Sequence, residues 1–228
     1  MPVISVASPK GGCGKTTSCL VLATTLAAGG ATVTILDADP NRPIVNWKSR
    51  DQTQSTVNVI GDVTEKSIIS AIEEQAAKVQ FVFIDLEGTA SLLVSRALSR
   101  SDVVVIPMQA SAVDAQEAAK ALNLVRAEEE AFKREIPHRV LLTRTNTVVK
   151  TRNERMILDE LRSQNIPMLT NHLNQRVAFS SMFTWGQTLE ELDEERVNGL
   201  QAARDNAREI ANELVELVIA SQRSEKAA

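Results

Sequence analysis

The stretch Val3-Ile4-Ser5-Val6-Ala7-Ser8-Pro9-Lys10-Gly11-Gly12-Cys13-Gly14-Lys15-Thr16-Thr17 decides how the rest of the chain is read. Residues 3–7 form a β-branched run of strand length, and residues 15–28 read as a helix stopped by Gly29-Gly30. The segment between them is rich in glycine, which allows successive backbone N–H groups to turn inward around an anion. The N-terminus of the following helix adds its partial positive charge. A loop that leaves a strand and enters a helix also sits where open α/β sheets place their ligands. Residues 31–36 supply a second strand, closed by Asp37-Ala38-Asp39-Pro40. This order of strand, loop, helix and strand is that of a βαβ unit.

The alternation continues outward. Residues 56–60 suggest an edge strand, and residues 65–78 a helix with Ile68, Ile69 and Ile72 on its apolar face. Residues 80–85 and 102–107 are uninterrupted apolar runs of the kind found in central parallel strands, buried on both faces. Residues 114–135 read as a helix, 139–143 as a strand, 152–163 as a helix and 168–173 as a last strand. Helices follow at 177–184 and 198–221. With no repeat, linker or break in composition, one doubly wound, mostly parallel α/β domain over residues 1–221 is expected, with a frayed tail at 222–228.

Composition agrees. The chain has 228 residues, enough for one well-filled α/β domain and few for two. Aromatic residues make up 3% of it and tyrosine is absent, so Val, Ile, Leu and Ala must build the core. Cys13 and Cys19 lie too close together in the chain to staple a fold, and fit a reducing compartment. No apolar run approaches membrane-spanning length and no signal-peptide pattern opens the chain, so a cytoplasmic protein is expected. The formal net charge of −4 means that any nucleic-acid contact must come from a local basic patch.

The segment Lys10–Thr17 fits the phosphate-binding loop G-x-x-x-x-G-K-[ST] with one departure: Pro9 stands where the pattern has its first glycine. Lys15 can span the β- and γ-phosphates, the Thr16 hydroxyl can ligate Mg²⁺ and Thr17 can reach the α-phosphate. Gly11, Gly12, Cys13 and Gly14 supply the backbone cradle. The additional lysine, in K-G-G-x-G-K-T-T, resembles the deviant Walker A motif of the ParA/MinD family of P-loop ATPases, and the similarity extends over most of the chain. The resemblance implies an ATP- and Mg²⁺-dependent ATPase, slow without a partner, whose two copies join around nucleotide. Lys10 would then reach the nucleotide of the other subunit; the alternative is a solvated surface lysine. Asp39, in the D-x-D-P segment, would orient the attacking water, and it also suits an N-cap of a helix over 41–50. Asp37 would support the loop or the water shell of the magnesium. Asp85, at the end of an apolar strand, would hold Mg²⁺ through a coordinated water, or cap a helix. The chain reads Asp85-Leu86-Glu87-Gly88 where the family has D-x-P, which brings a second carboxylate, Glu87, near the phosphates with a role left open.

ATP is expected rather than GTP, since no N-K-x-D guanine-reading segment follows a late strand. Thr143-Arg144-Thr145-Asn146 and the loop after Leu173 would flank the adenine. The cysteines do not suit an iron–sulfur relative, the lack of tyrosine excludes an autokinase of this fold, and the C-terminal segment suits packing better than lipid. A small partition ATPase of the ParA type remains, without an N-terminal helix-turn-helix domain. Asn41-Arg42-Pro43, Trp47 and the D-x-x-G lean toward the branch that serves T-DNA transfer, the VirC type. The expected function is therefore ATP-dependent dimerisation and nonspecific DNA binding for partitioning of plasmid or chromosome. The chain would associate with the nucleoid when ATP-bound and be activated by a ParB-like partner. The alternatives are a VirC-type accessory ATPase in conjugative or T-DNA transfer, a positioning ATPase for a protein cargo, and a metabolic P-loop enzyme. Two arginine groups are candidate DNA contacts: Arg144, Lys150, Arg152 and Arg155, and, one helical turn apart, Arg204 and Arg208. Phe183 and Trp185 suit either partner contacts or core.

Overall fold

β1 (Val3–Val6) lies fourth of the seven strands of one sheet, and every strand pair recorded in it is parallel. The computed structural model describes residues 1–50, 52–88, 91–146 and 151–227, with the side chains of 153 and 224–227 outside that description. In chain order, β1 is followed by α1 (Lys15–Ala28), β2 (Val33–Ala38), α2 (Pro43–Lys48), β3 (Asn58–Ile60), α3 (Ile68–Ala76), β4 (Phe81–Leu86) and α4 (Leu92–Leu98). Then come β5 (Val103–Gln109), α5 (Ala112–Phe132), β6 (His138–Thr145), α6 (Arg152–Ser163), β7 (Leu173–Asn174), α7 (Val177–Trp185) and α8 (Leu200–Ala227). The strand order is β3-β2-β4-β1-β5-β6-β7, so β3 is an edge strand, as expected.

Strand side chains alternate between two apolar layers, because successive residues of a strand point to opposite faces. Ile4, Val6, Ile35, Phe83, Val103 and Val105 join one cluster with side chains of α1, α2, α7 and α8. Val3, Leu36, Val82, Ile84, Val104 and Ile106 join the other with side chains of α3, α4, α5 and α6. Buried on both sides, the central strands read as continuous apolar runs rather than as alternating ones.

Several boundaries differ from the sequence expectation for local reasons. β2 extends through Asp37 and Ala38, because these residues pair with Asp85 and Leu86 of β4. The last strand is shorter than expected. The N–H groups of Thr170 and Asn171 go to the Glu213 carboxylate on α8, leaving only an isolated bridge from Met168 to Val140 before β7. α3 begins at Ile68 because Thr64 and Ser67 close a turn on each other's side chains. α8 runs through Ala227, past the expected end at residue 221, as no glycine or proline interrupts its last turns.

Candidate nucleotide site

The loop between β1 and α1 takes its shape from two glycines with positive φ, Gly12 at 77° and Gly14 at 104°, a conformation that costs other residues energy. Gly14 is the N-cap of α1 and meets β6: a Cβ there would lie 3.2 Å from Thr143 Cγ2. The loop's carbonyls are held by side chains. Gln109 Nε2 donates to the Gly12 carbonyl at 3.0 Å and Thr143 Oγ1 to that of Cys13 at 2.7 Å. The Lys10 carbonyl accepts from Lys15 Nζ at 2.9 Å and from Cys13 Sγ at 3.3 Å. Lys15 is 8% exposed and lies against Gly88: a Cβ at Gly88 would stand 3.4 Å from Lys15 Nζ and 3.4 Å from the Pro9 carbonyl. Gly88 of the D-x-x-G segment therefore admits the lysine, and Glu87 beside it is half-buried.

Beneath the loop, Asp85 of β4 and Asp37 of β2 stand side by side in the strand register. Asp85 is 0% exposed, and neither of its carboxylate oxygens makes a hydrogen bond of ordinary geometry, although the Thr16 hydroxyl is near. Burial pushes its pKa up to about 7; the Asp37 and Asp39 charges add to the rise, while the Thr16 hydroxyl and the Lys15 charge oppose it. Asp37 Oδ2 accepts from the backbone N–H groups of Ile44 and Val45 at 2.8 and 2.9 Å, and its Oδ1 is buried without a partner. Burial raises its carboxyl too, against the pull of those N–H groups. Asp37, not Asp39, thus caps the first turn of α2. Asp39 instead closes an Asx turn, its Oδ1 accepting from the N–H of Asn41 at 2.8 Å and from Asn41 Nδ2 at 2.9 Å.

Within a single copy Lys10 is held by an ion pair. Its Nζ lies 2.8 Å from Oδ2 of Asp114, a 3%-exposed carboxylate on the first turn of α5. Ser111, the N-cap of α5, donates to the same oxygen. Burial alone would raise the Asp114 carboxyl, but Lys10 and Ser111 hold it below its ordinary range. The sequence did not single out Asp114 or Gln109, and it marked Thr143 only as part of a segment expected to flank the base, not as a brace for the loop. Asp114 carried a local signal, the Ser111-x-x-Asp114 cap pattern, but its pairing with a lysine 104 residues away is purely tertiary.

On the other side of the loop, a cleft of about 640 Å³ is lined by Gly14, Thr17, Thr143, Arg144, Asn146 and residues 173–177 among others. It brings together the two segments expected to flank a base. Its far wall is held by a chain of hydrogen bonds: Thr145 Oγ1 to Asn174 Oδ1 at 3.0 Å, the Asn174 N–H to Asn206 Oδ1 at 3.0 Å, and Asn206 Nδ2 to the His172 carbonyl at 2.8 Å.

The two arginine groups fare differently. Arg144, Arg152 and Arg155 are exposed, Arg144 in a left-handed conformation with φ 53° at an irregularity in β6, and Lys150 lies outside the described residues. Arg204 and Arg208 do share a face of α8, but it is not a free basic patch. Arg204 is 12% exposed and pairs with Glu190 at 3.2 Å and Glu194 at 2.5 Å, while Arg208 pairs with Glu190 at 2.8 Å. Acidic residues drawn from the α7–α8 connection, Glu190 and Glu194, pair with them, so this face carries negative as well as positive charge. Phe183 packs on the core, while Trp185 is 46% exposed under the Arg196 guanidinium, 5.8 Å from the ring centre.

A parallel sheet with this loop at the end of a central strand, and a buried aspartate at the end of the strand beside it, defines a P-loop NTPase of the ParA/MinD type. A model of the VirC1 protein family matches residues 1–227, and the chain belongs to that family. It is 38% identical over 211 residues to Protein ParA of Rhizobium radiobacter, covering 92% of this chain and 95% of that one. It is 30% identical over 191 residues to Protein virC1 of Rhizobium rhizogenes, covering 80% of each. Among solved structures, a putative plasmid partition protein of Borrelia burgdorferi B31 bound to AMPPNP superposes with a TM-score of 0.72 at 17% identity, over 94% of this chain and 98% of that one.

Proposed function

We propose that the protein is an Mg²⁺-dependent ATPase that dimerises on binding ATP and then binds DNA without reading its sequence, so as to partition or position it. The observation that carries this reading is Asp85, a fully buried carboxylate with neither oxygen in a hydrogen bond of ordinary geometry, beside Thr16 and Lys15 at the mouth of the loop. A buried carboxylate so poorly satisfied is costly, and a site that keeps one is built for a cation. Among the described residues no cluster of three or more His, Cys, Asp or Glu could hold a metal by itself. That suits Mg²⁺, which keeps its waters and binds through one or two carboxylates together with phosphates. Thr16 would ligate it directly, with Asp85 and Asp37 holding its waters. When bound, the ion neutralises charge on the phosphates during transfer.

The chain's own groups do the rest. The N–H groups of the loop and the start of α1 receive the phosphates, and Lys15 leaves the Lys10 carbonyl for the β- and γ-phosphates. Asp39, its orientation fixed by the Asn41 turn, holds the attacking water. Lys10 exchanges Asp114 for the nucleotide of a second copy, so the dimer forms only while triphosphate is present. Arg144, Arg152 and Arg155 then grip backbone phosphates of DNA, and an activating partner of the ParB kind triggers hydrolysis and release.

Size-exclusion and DNA-shift measurements with ADP, ATP and a slowly hydrolysed analogue test this. Dimerisation and DNA retention should appear only with a triphosphate and vanish in Lys15→Ala. DNA binding that ignores nucleotide would overturn the switch. The VirC1 family match supports a second reading, an accessory ATPase in T-DNA or conjugative transfer. A marked preference for a transfer-origin duplex over random DNA of equal length would favour it.

A further inference from the structure

Resting on the nucleotide-binding reading, we propose that Gln109 and Thr143, at the ends of β5 and β6, are positioning residues that turn the loop's N–H groups toward the phosphates. A trans peptide holds its C=O and N–H on opposite sides. Gln109 Nε2 draws the Gly12 carbonyl toward β5, so the Cys13 N–H points away from that strand. Thr143 Oγ1 draws the Cys13 carbonyl toward β6, so the Gly14 N–H points away likewise. The two successive N–H groups thereby face the same way, and the positive φ values at Gly12 and Gly14 permit this arrangement.

The braces matter because the loop's other side-chain ties are weak or, with Lys10 and Lys15, are given up when nucleotide binds in the proposed cycle. Glycine-rich segments give up much entropy when ordered. Cys13 Sγ, whose hydrogen bond to the Lys10 carbonyl spans 3.3 Å, is a weak donor, and Lys15 Nζ, the other group on that carbonyl, must leave to meet phosphate. Gln109 and Thr143 instead belong to paired strands: Met108 with Leu142 and Gln109 with Thr143 are register partners, so the two braces stand on one rung. Thr143 also touches Gly14 through its methyl group, 3.2 Å from where a Cβ would be, and its hydroxyl lies 3.3 Å from the Met108 carbonyl. The sheet and not the loop therefore sets the direction of both peptides. Neither residue belongs to the loop pattern, and neither needs to touch the nucleotide to act.

The test is affinity for MgATP and MgADP by calorimetry, with thermal melting of the nucleotide-free protein alongside. Thr143→Val keeps the side chain's shape and removes the donor; Gln109→Leu removes the amide donor at a half-buried strand end. Each should weaken both nucleotides about tenfold, the size expected when one preorganising hydrogen bond is lost. The double variant should bind more weakly than either. Gln109→Glu, which sets a carboxylate oxygen against the Gly12 carbonyl, should be worse than Gln109→Leu. Thr143→Ser, which restores the hydroxyl, should bind like wild type, a rescue that loss of packing alone would not give. Should Thr143→Val prove unfolded, the Gln109 pair and Thr143→Ser decide. Wild-type binding matched by both single variants would overturn the inference alone, whereas a wild-type chain that takes up neither nucleotide would overturn it together with the reading it rests on.

Discussion

Asp85, the proposed support of the magnesium, works against the fold that holds it. Its carboxyl ionises near 3.8 in an unfolded chain and at about 7 in the native one, since burial disfavours the charge. The folded state thus keeps a proton that the unfolded state gives up, and stability falls as pH rises between those values. The loss amounts to about 4 kcal/mol once both states are ionised. Asp85→Asn should therefore raise the melting temperature of the nucleotide-free protein at pH 8, flatten its decline between pH 4 and 7, and abolish Mg²⁺-dependent hydrolysis. Melting curves across pH and a phosphate-release assay check both halves. Lys10 makes the complementary case. Removing it leaves Asp114 buried without its cation, so Lys10→Ala should cost about 1–3 kcal/mol in chemical denaturation as well as ATP-dependent dimerisation. Adding Asp114→Asn should return the stability and leave dimerisation lost, which separates the two duties of the lysine.

At the scale of elements, the sequence was most legible where local pattern and tertiary context agreed. The bounds expected for α1 and α6 match those observed, because Gly29-Gly30 ends the first, and Thr151 and Glu154 begin the second with a reciprocal capping box. α4 was missed: its seven residues carry too little periodicity to read, although the Ser91 side chain accepts from the Val94 N–H as a cap. The loop between β1 and α1 was legible from its motif. The groups that brace it from β5, β6 and α5 were not, since contacts over such separations leave no local trace. The two aspartates of the D-x-D-P segment were both located, but their helix-capping role went to the wrong one, because β2 runs two residues further than its apolar pattern suggests. Gly186 belongs at this scale too. It ends α7 with φ 63°, and a Cβ there would lie 2.7 Å from Arg50 Cβ. Gly186→Ala should destabilise the protein by about 1–3 kcal/mol in denaturant titration, through both the left-handed backbone and the contact.

For the molecule as a whole, the proposed DNA binding has to be reconciled with a formal charge of −4. Long-range attraction does not favour it, so binding must come from short-range contacts at one patch, screened beyond about 10 Å at ordinary salt. The ion pairs of the two candidate groups bear on where such a patch would lie. The arginines of α8 are paired with Glu190 and Glu194, whose negative charge opposes a phosphate on that face. Arg144, Arg152 and Arg155 lie around the β6–α6 connection, and Arg144 shares the wall of the nucleotide cleft, so the DNA contact and the bound nucleotide would meet at one place. Each phosphate neutralised by such a residue adds about 0.9 to the slope of log K against log salt. Replacing Arg152 and Arg155 with alanine should therefore weaken ATP-dependent DNA retention and flatten that slope by nearly two units per bound copy in a salt titration, with no change in sequence preference. Arg204→Ala should lower the melting temperature, because the residue is nearly buried among its acidic partners, and leave the slope where it was. If instead Arg204→Ala flattened the slope, those acidic partners would have to release it on binding, and the DNA surface would extend along α8.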